Sequence, residues 1–369
     1  MLGPRIGSFV PLFRSFLQRR FGLVSGILVG LSLLACGGGG GGAGGGSTGY
    51  SVSTVVFLSN LATQIRFAPD GRIFFTELAT GRIRIVQNGT VLPTEFATLP
   101  VGTSGEQGLL GLALDPNFAQ NGFVYVFHTN PNPLKQRVVR YTDSNNVGTN
   151  ETVIVDDLPV ANRHVGGRIG FGQDGMLYVS IGDVLDPANS QDDNSLAGKI
   201  LRYTPLGAIP GDNPNPASPV YAKGMRNSFG LAFHPTSGRP YTSENGPNCD
   251  DELNRIVAGG NYGWRPNYPC NDNDPNYIQP IVRYSEVIAP TGIAFYTGND
   301  IPGFTGDLFV GSFNDGALRR YRIEDLNGSI LASELILSGR PDGIIDVTTG
   351  SDGALYFCDG VGIHRVVPG

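Results

Sequence analysis

One pattern recurs six times along this chain, and it constrains the fold more than any other feature. A short apolar strand is followed by a Pro/Asp/Gly turn, a second apolar strand, and a third strand rich in Arg, Ile and Tyr. The copies open at Ile65, Leu112, Ile169, Leu231, Ile293 and Val347, so their starts lie 47, 57, 62, 62 and 54 residues apart. β-Branched and aromatic residues alternate within each unit, and the breaks fall at Asp-Gly, as in Asp70-Gly71, Asp174-Gly175 and Asp352-Gly353. That chemistry makes tight hairpins. Helical periodicity is nearly absent, and the chain holds 54 glycines and 26 prolines. Antiparallel units of about four strands at a period of about 50 residues read as propeller blades. The expected fold is all-β: a six-bladed β-propeller of four-stranded antiparallel blades. A β-sandwich and a seven-bladed ring are the rivals, and the count of six favours the first reading.

The sixth unit runs out of chain after its third strand, while the segment Val52 to Leu58 is a strand without a unit. It is expected to supply the last blade's fourth strand. Closing the ring in this way removes an exposed edge.

The ends bound where the fold lies. Residues 1–35 read as a signal peptide. Arg5, Arg14, Arg19 and Arg20 precede an apolar run from Phe21 to Leu34, which is short for a span of about 20 apolar residues. The run ends Leu33-Leu34-Ala35-Cys36, which resembles a bacterial lipoprotein signal with Cys36 as the lipidated residue. An ordinary signal with an incidental Cys is the alternative, and Arg19-Arg20 also admits a twin-arginine reading. Residues 36–49 carry Cys36 and a glycine-rich tether that has almost no side chains to bury. The propeller is expected over 50–369, exported to the periplasm or cell surface, with membrane contact through the anchor alone.

The whole chain carries a formal charge of −6, and four of its arginines lie before Cys36, so the remainder carries −10. Such a body does not suit nucleic acid, which is bound through Lys and Arg. Export implies an oxidising compartment. Cys249 and Cys270 flank one loop and are the candidate disulfide. Cys358 is left over in a strand, and no paired C-x-x-C zinc pattern occurs.

Four inserts between strands are candidates for chemistry, because loops carry function on a rigid scaffold. Glu106 and Gln107 lie in a glycine-rich segment that also reads as a plain inter-blade turn. His164 precedes Gly166-Gly167-Arg168, and Asp183 lies one hairpin later. A His beside a carboxylate suits proton abstraction, but a turn histidine bonded to backbone reads equally well. Arg226 in Arg226-Asn227 is placed either to hold a planar anion or to brace two blades. The segment Ser243 to Asn254 packs Asp250, Asp251 and Glu252 among Asn and Gly. Clustered oxygen ligands suit Ca2+, and a solvated acidic loop is the alternative.

Several motifs in order resemble the glucose/sorbosone dehydrogenases, the soluble PQQ-dependent aldose dehydrogenases. They are His164-x-Gly-Gly-Arg168, Gly198-Lys-Ile-Leu-Arg202, Arg226-Asn227-x-x-Gly-Leu-Ala-Phe233, Glu244-x-Gly-Pro247, Asp251-Glu252-Leu-Asn254 and Asn261-Tyr-Gly-Trp264. The resemblance implies oxidation of an aldose or related sugar by hydride transfer to the quinone, with electrons passed to an external acceptor. It implies His164 as base and Asp183 as its orienting carboxylate. Cofactor contacts are implied at Glu106, Gln107, Arg168, Arg226 and Asn227, calcium at the carbonyls of Gly246 and Pro247, and a second calcium at Glu252 and Tyr262. Departures from the family pattern accompany these matches. Where relatives carry Arg-x-Arg before the aspartate of the last blade, Gly343, Ile344 and Ile345 precede Asp346. A family Lys is Asn314, a His is Met225, and a Gln is Glu106. PQQ has three carboxylates, so these positions leave a non-catalytic, ligand- or partner-binding propeller as an alternative. A calcium-dependent lactone hydrolase is a third.

Overall fold

The computed structural model describes residues 49–368. The leader, Cys36 and most of the glycine tether lie outside the described residues.

Six antiparallel sheets follow the six sequence units. Blade 1 is built from Ala62–Phe67, Ile73–Glu77 and Arg82–Gln87, with two short strands, Thr90–Val91 and Ala97–Thr98, both paired to its third strand. Blade 2 comprises Leu109–Leu114, Phe123–Pro131, Leu134–Ser144 and Val147–Leu158; blade 3, Ile169–Phe171, Leu177–Ile181, Lys199–Tyr203 and Val220–Lys223. Blade 4 comprises Ser228–Phe233, Pro240–Glu244, Asp251–Arg255 and Val282–Tyr284; blade 5, Pro290–Phe295, Leu308–Ser312, Leu318–Glu324 and Ser329–Leu337. Blade 6 has Asp346–Thr349, Leu355–Cys358 and Gly362–Pro368, and its fourth strand is Tyr50–Phe57, paired from Tyr50↔Pro368 to Phe57↔Gly362. The strand Tyr50–Phe57 therefore closes the ring, as the segment without a unit in the sequence led us to expect.

The strands look uniformly apolar because both faces of a blade are covered. All five residues of Ile73–Glu77 and of Leu177–Ile181 are buried. In blade 2, Val124 and Val126 pack towards Phe74 and Phe96 of blade 1, while Tyr125 faces Phe171 of blade 3 with ring centroids 5.0 Å apart. Each such aromatic side chain contributes roughly 1.5–3 kcal/mol by leaving water. The Asp-Gly turns are capped alike. Asp174 accepts from Met176 N and the Tyr178 hydroxyl, and Asp352 accepts from Ala354 N and the Tyr356 hydroxyl.

Polar side chains of the inner strands tie each blade to the next. Thr63 Oγ1 donates to Leu109 O at 2.7 Å, Gln64 Oε1 accepts from Leu112 N at 2.6 Å, and Thr291 Oγ1 donates to Ile344 O at 2.6 Å. Arg168 reaches furthest. Buried at 3% exposure, it donates from Nε to Phe229 O at 2.8 Å, from Nη1 to Thr63 O and Leu110 O, and from Nη2 to Ile345 O at 3.0 Å. One side chain of blade 3 thus binds backbone of blades 1, 2 and 4 and the segment entering blade 6. Truncating it orphans buried carbonyls. Arg168→Met is expected to lower the unfolding free energy by about 3 kcal/mol or more in denaturant titration. Arg168→Lys is expected to rescue little of this, because an ammonium has three donors and no planar fork.

His128, on the second strand of blade 2, is 2% exposed. Burial, with Arg137 beside it, pulls its pKa down from 6.5 to about 4. The folded state therefore holds it neutral where the unfolded chain binds a proton. The stability from this group is complete above pH 6.5 and is lost as pH falls towards 4, by up to about 3 kcal/mol. Denaturant titrations at pH 7 and pH 5 should show this loss in the native chain and a smaller one in His128→Leu.

Candidate active site

Inner strands begin, and second strands end, at one end of the ring, so the loops after the second strands gather there with the links between blades. His164 lies in the link entering blade 3, with φ +53°. Such a conformation is uncommon for a residue with a Cβ and marks a constrained turn. The loop after Leu177–Ile181 passes against it. A Cβ on Gly182 would come within 2.1 Å of His164 O, so only glycine permits this approach.

The contact brings two side chains together. His164 Nδ1 lies 2.7 Å from Asp183 Oδ1. A carboxylate only accepts, so in the neutral imidazole Nδ1 carries the proton and Nε2, without a partner among the described residues, presents a lone pair. The His164 side chain is 14% exposed and that of Asp183 1%. Asp183 is held from several sides: Oδ2 accepts from Trp264 Nε1 at 2.8 Å, Oδ1 accepts from Leu185 N at 2.9 Å, and its own N–H donates to Arg226 O at 2.7 Å. Val184 and Leu185 follow at φ +51° and +70°. Strained backbone is therefore concentrated around this pair.

Glu106 lies behind the pair rather than in front of it. Its Oε2 accepts from His164 N at 2.8 Å and from Asn227 Nδ2 at 3.3 Å. Asn227 in turn accepts Gly166 N at 3.1 Å. Glu106 and Asn227 thus clamp the His164 turn. Two residues expected at the cofactor are spent elsewhere. Gln107 is buried, with Nε2 on Ala161 O and Oε1 on Ser104 N, and Arg168 is the inter-blade pin. Their donors are consumed by backbone groups that burial leaves no other way to satisfy.

Arg226 stands at the mouth. Its Nη1 donates to Asn245 O at 2.7 Å, and the guanidinium lies 5.5 Å from the Trp264 ring centroid. Burial pushes its pKa down, opposed by Asp183, Glu244, Glu106 and Asp251, none of which forms an ion pair with it. It is a cation still open to an anionic partner.

A cleft beside it is lined by Glu244, Gly246, Pro247, Glu252, Asn254 and Tyr262. Glu244 accepts from the backbone N–H of Arg226 and Asn227 and from Ser228 Oγ, yet burial raises its pKa to about 7. Glu252 is raised to about 8, first by burial, then by the like charges of Glu244 and Asp250. Asn254 Nδ2 donates to Glu252 Oε2 at 3.1 Å, but the buried Oδ1 of Asn254 has no partner. The Tyr262 hydroxyl is spent on Arg255 O and Val257 N. Among the described residues no three His, Cys, Asp or Glu side chains converge as a metal site. The donors here are mainly amide, carbonyl and carboxylate oxygens. The cleft's loops are joined by the Cys249–Cys270 disulfide, with Cα atoms 5.9 Å apart.

The far side of the mouth is different. Asn314 Nδ2 donates to Val287 O at 2.8 Å. Gly343 has φ +67°, and a Cβ there would meet the Phe313 ring at 2.5 Å. Ile344 and Ile345 are buried in the packing between blades. Arg319 binds Asp315 and Ser312, and Arg340 binds Asp359. Neither stands free to replace the missing cations. Sequence reasoning assigned no role to Trp264 or Glu244. The signal available was the chain's single Trp inside a quoted motif.

Comparison with known proteins places these features in one lineage. The chain is 35% identical over 259 residues to quinoprotein glucose dehydrogenase B of Acinetobacter calcoaceticus, covering 60% of this chain and 54% of that protein. It is 29% identical over 322 residues to aldose sugar dehydrogenase YliI of Escherichia coli K12, covering 79% of this chain and 85% of that protein. The PQQ-bound aldose sugar dehydrogenase of Streptomyces coelicolor superposes with a TM-score of 0.76 at 30% identity, over 87% of this chain and 99% of that one. The Glucose / Sorbosone dehydrogenase profile matches residues 60–362, and the chain belongs to that family.

Proposed function

We propose that the protein oxidises a hydroxyl-bearing carbon of a sugar, with His164 as general base. The observation that carries this reading is the His164–Asp183 pair at 2.7 Å, with Asp183 N bonded in turn to Arg226 O. His164 Nε2 takes the hydroxyl proton. Asp183 holds Nδ1–H, fixes the tautomer and stabilises the imidazolium that forms. The carbon-bound hydrogen leaves with two electrons to a redox-active acceptor in the mouth, and a C=O bond replaces C–O–H. An anomeric hydroxyl would give a lactone. Glu106 and Asn227 keep the base from moving, since they hold the backbone of its turn.

The names of relatives point to a quinone as that acceptor. Arg226 over Trp264 offers a shelf for a planar anionic ring. PQQ itself carries three carboxylates, and cations for all three are not present among the described residues. Calcium fits better. The cleft holds two carboxylates pushed up by burial, an orphaned amide oxygen and the Gly246–Pro247 turn. A hard divalent cation there would relieve the repulsion.

His164→Ala is expected to cut sugar-dependent dye reduction by about 10²–10⁴-fold in kcat, the usual worth of a general base, with the fold intact by circular dichroism. Asp183→Asn should lose activity by freeing the wrong tautomer. Full activity in His164→Ala would refute the assignment. Calcium in excess over EGTA should raise Tm by several degrees, a ligand at 100 times Kd being worth about 2.7 kcal/mol. The rise should vanish in Glu252→Gln.

A further inference from the structure

We infer that the redox ligand of this mouth is a neutral or singly charged aromatic quinone rather than the trianion PQQ. This deepens the oxidoreductase reading and rests on it.

The argument is first one of charge. A carboxylate taken out of water needs a partner, and three need three. At this end of the ring the cations are already committed. Arg168 is spent on four carbonyls beneath the Phe229 ring, 4.5 Å from its centroid. Lys199 donates to Asn189 O, Ser190 O and Ala197 O. Arg319 and Arg340 are paired with Asp315 and Asp359. Arg163, beside His164, is exposed, and a solvated guanidinium adds little. Arg226, by contrast, has one backbone acceptor, Asn245 O, and no carboxylate ion pair, which leaves most of its guanidinium uncommitted. In the absence of calcium it can meet one anionic group. Glu106 and Asp183 already place carboxylates on the same side of the mouth.

The second line is the apolar wall on the far side of the mouth. Phe229, Phe313 and Ile345 belong to one apolar cluster, the two rings partly buried. Gly343 cannot carry a side chain because Phe313 fills the space its Cβ would take. Val287, in the link entering blade 5, adds apolar surface and is 41% exposed. A ring with an anionic group at Arg226 and an uncharged far edge against Phe313 matches both halves. Three carboxylates would bring two of their charges against hydrocarbon.

Trp264 is the only Trp in the chain and donates to Asp183 within the site, so intrinsic fluorescence reports on this mouth alone. The test is quenching of the intact protein by PQQ and by its uncharged trimethyl ester, with and without calcium. We expect the ester to bind at least tenfold more tightly. Asn314 is exposed, and Asn314→Lys should tighten PQQ about tenfold while leaving the ester unchanged. PQQ binding as tightly as the ester, or more so, would overturn the inference and leave the oxidoreductase reading standing. If neither probe quenches Trp264 while the protein is folded, the quinone site falls, and the inference with it.

Discussion

The ring is held at its centre by one guanidinium. Arg168 places five donors in a rigid plane, and four bonds to carbonyls from blades 1, 2 and 4 and the entrance to blade 6 use that plane. No other residue type could do this. A Lys lacks the reach in several directions at once, and a neutral amide has two donors. Its burial is costly for a charge and lowers its pKa, a cost only partly opposed by Asp346, which also accepts Ile65 N at 2.9 Å and Arg66 Nη1 at 2.8 Å. The central channel is thus filled by a polar plug rather than left as a pore.

The site depends on that plug. Arg168 follows His164 by four residues, and the intervening Gly166 and Gly167, at φ +63° and +97°, turn the chain from the mouth into the channel. Pinning Arg168 fixes one end of the turn. Glu106 and Asn227, from the links entering blades 2 and 4, fix the other by holding His164 N and Gly166 N. Three links therefore converge on one strained backbone step. This is how a residue with a Cβ is kept at φ +53° next to a carboxylate, and why the His–Asp distance does not rest on those two side chains alone.

The blades were legible in the sequence because each is made by local chemistry: alternating apolar strands, Asp-Gly turns, and a period set by one sheet. The closing strand was legible for the same reason, since a strand without a hairpin partner must find an edge. Cys249 and Cys270 were readable as a pair because they flank one loop. What the sequence did not disclose lies in contacts between units. Arg168 and Gln107 sit in motifs that suggest ligand contact, yet they serve backbone groups 105 and 54 residues away. Glu106 suggested an unwelcome charge and is a clamp on His164. Nothing local distinguishes a carboxylate facing a ligand from one facing a backbone N–H across an inter-blade seam.

The two halves of the mouth obey opposite rules. On the side of blades 3 and 4, polar groups outnumber their partners: an Arg without a carboxylate, glutamates held near neutrality, an amide oxygen with nothing to accept. Such a surface is stable only if ligand groups complete it. On the side of blades 5 and 6, Asn314, Arg319 and Arg340 are each bonded within the protein, and ring and aliphatic surface stands beside them. A ligand that completes the first half without being repelled by the second must be charged at one end only. The polarity of the mouth, more than its motifs, therefore decides what it can hold.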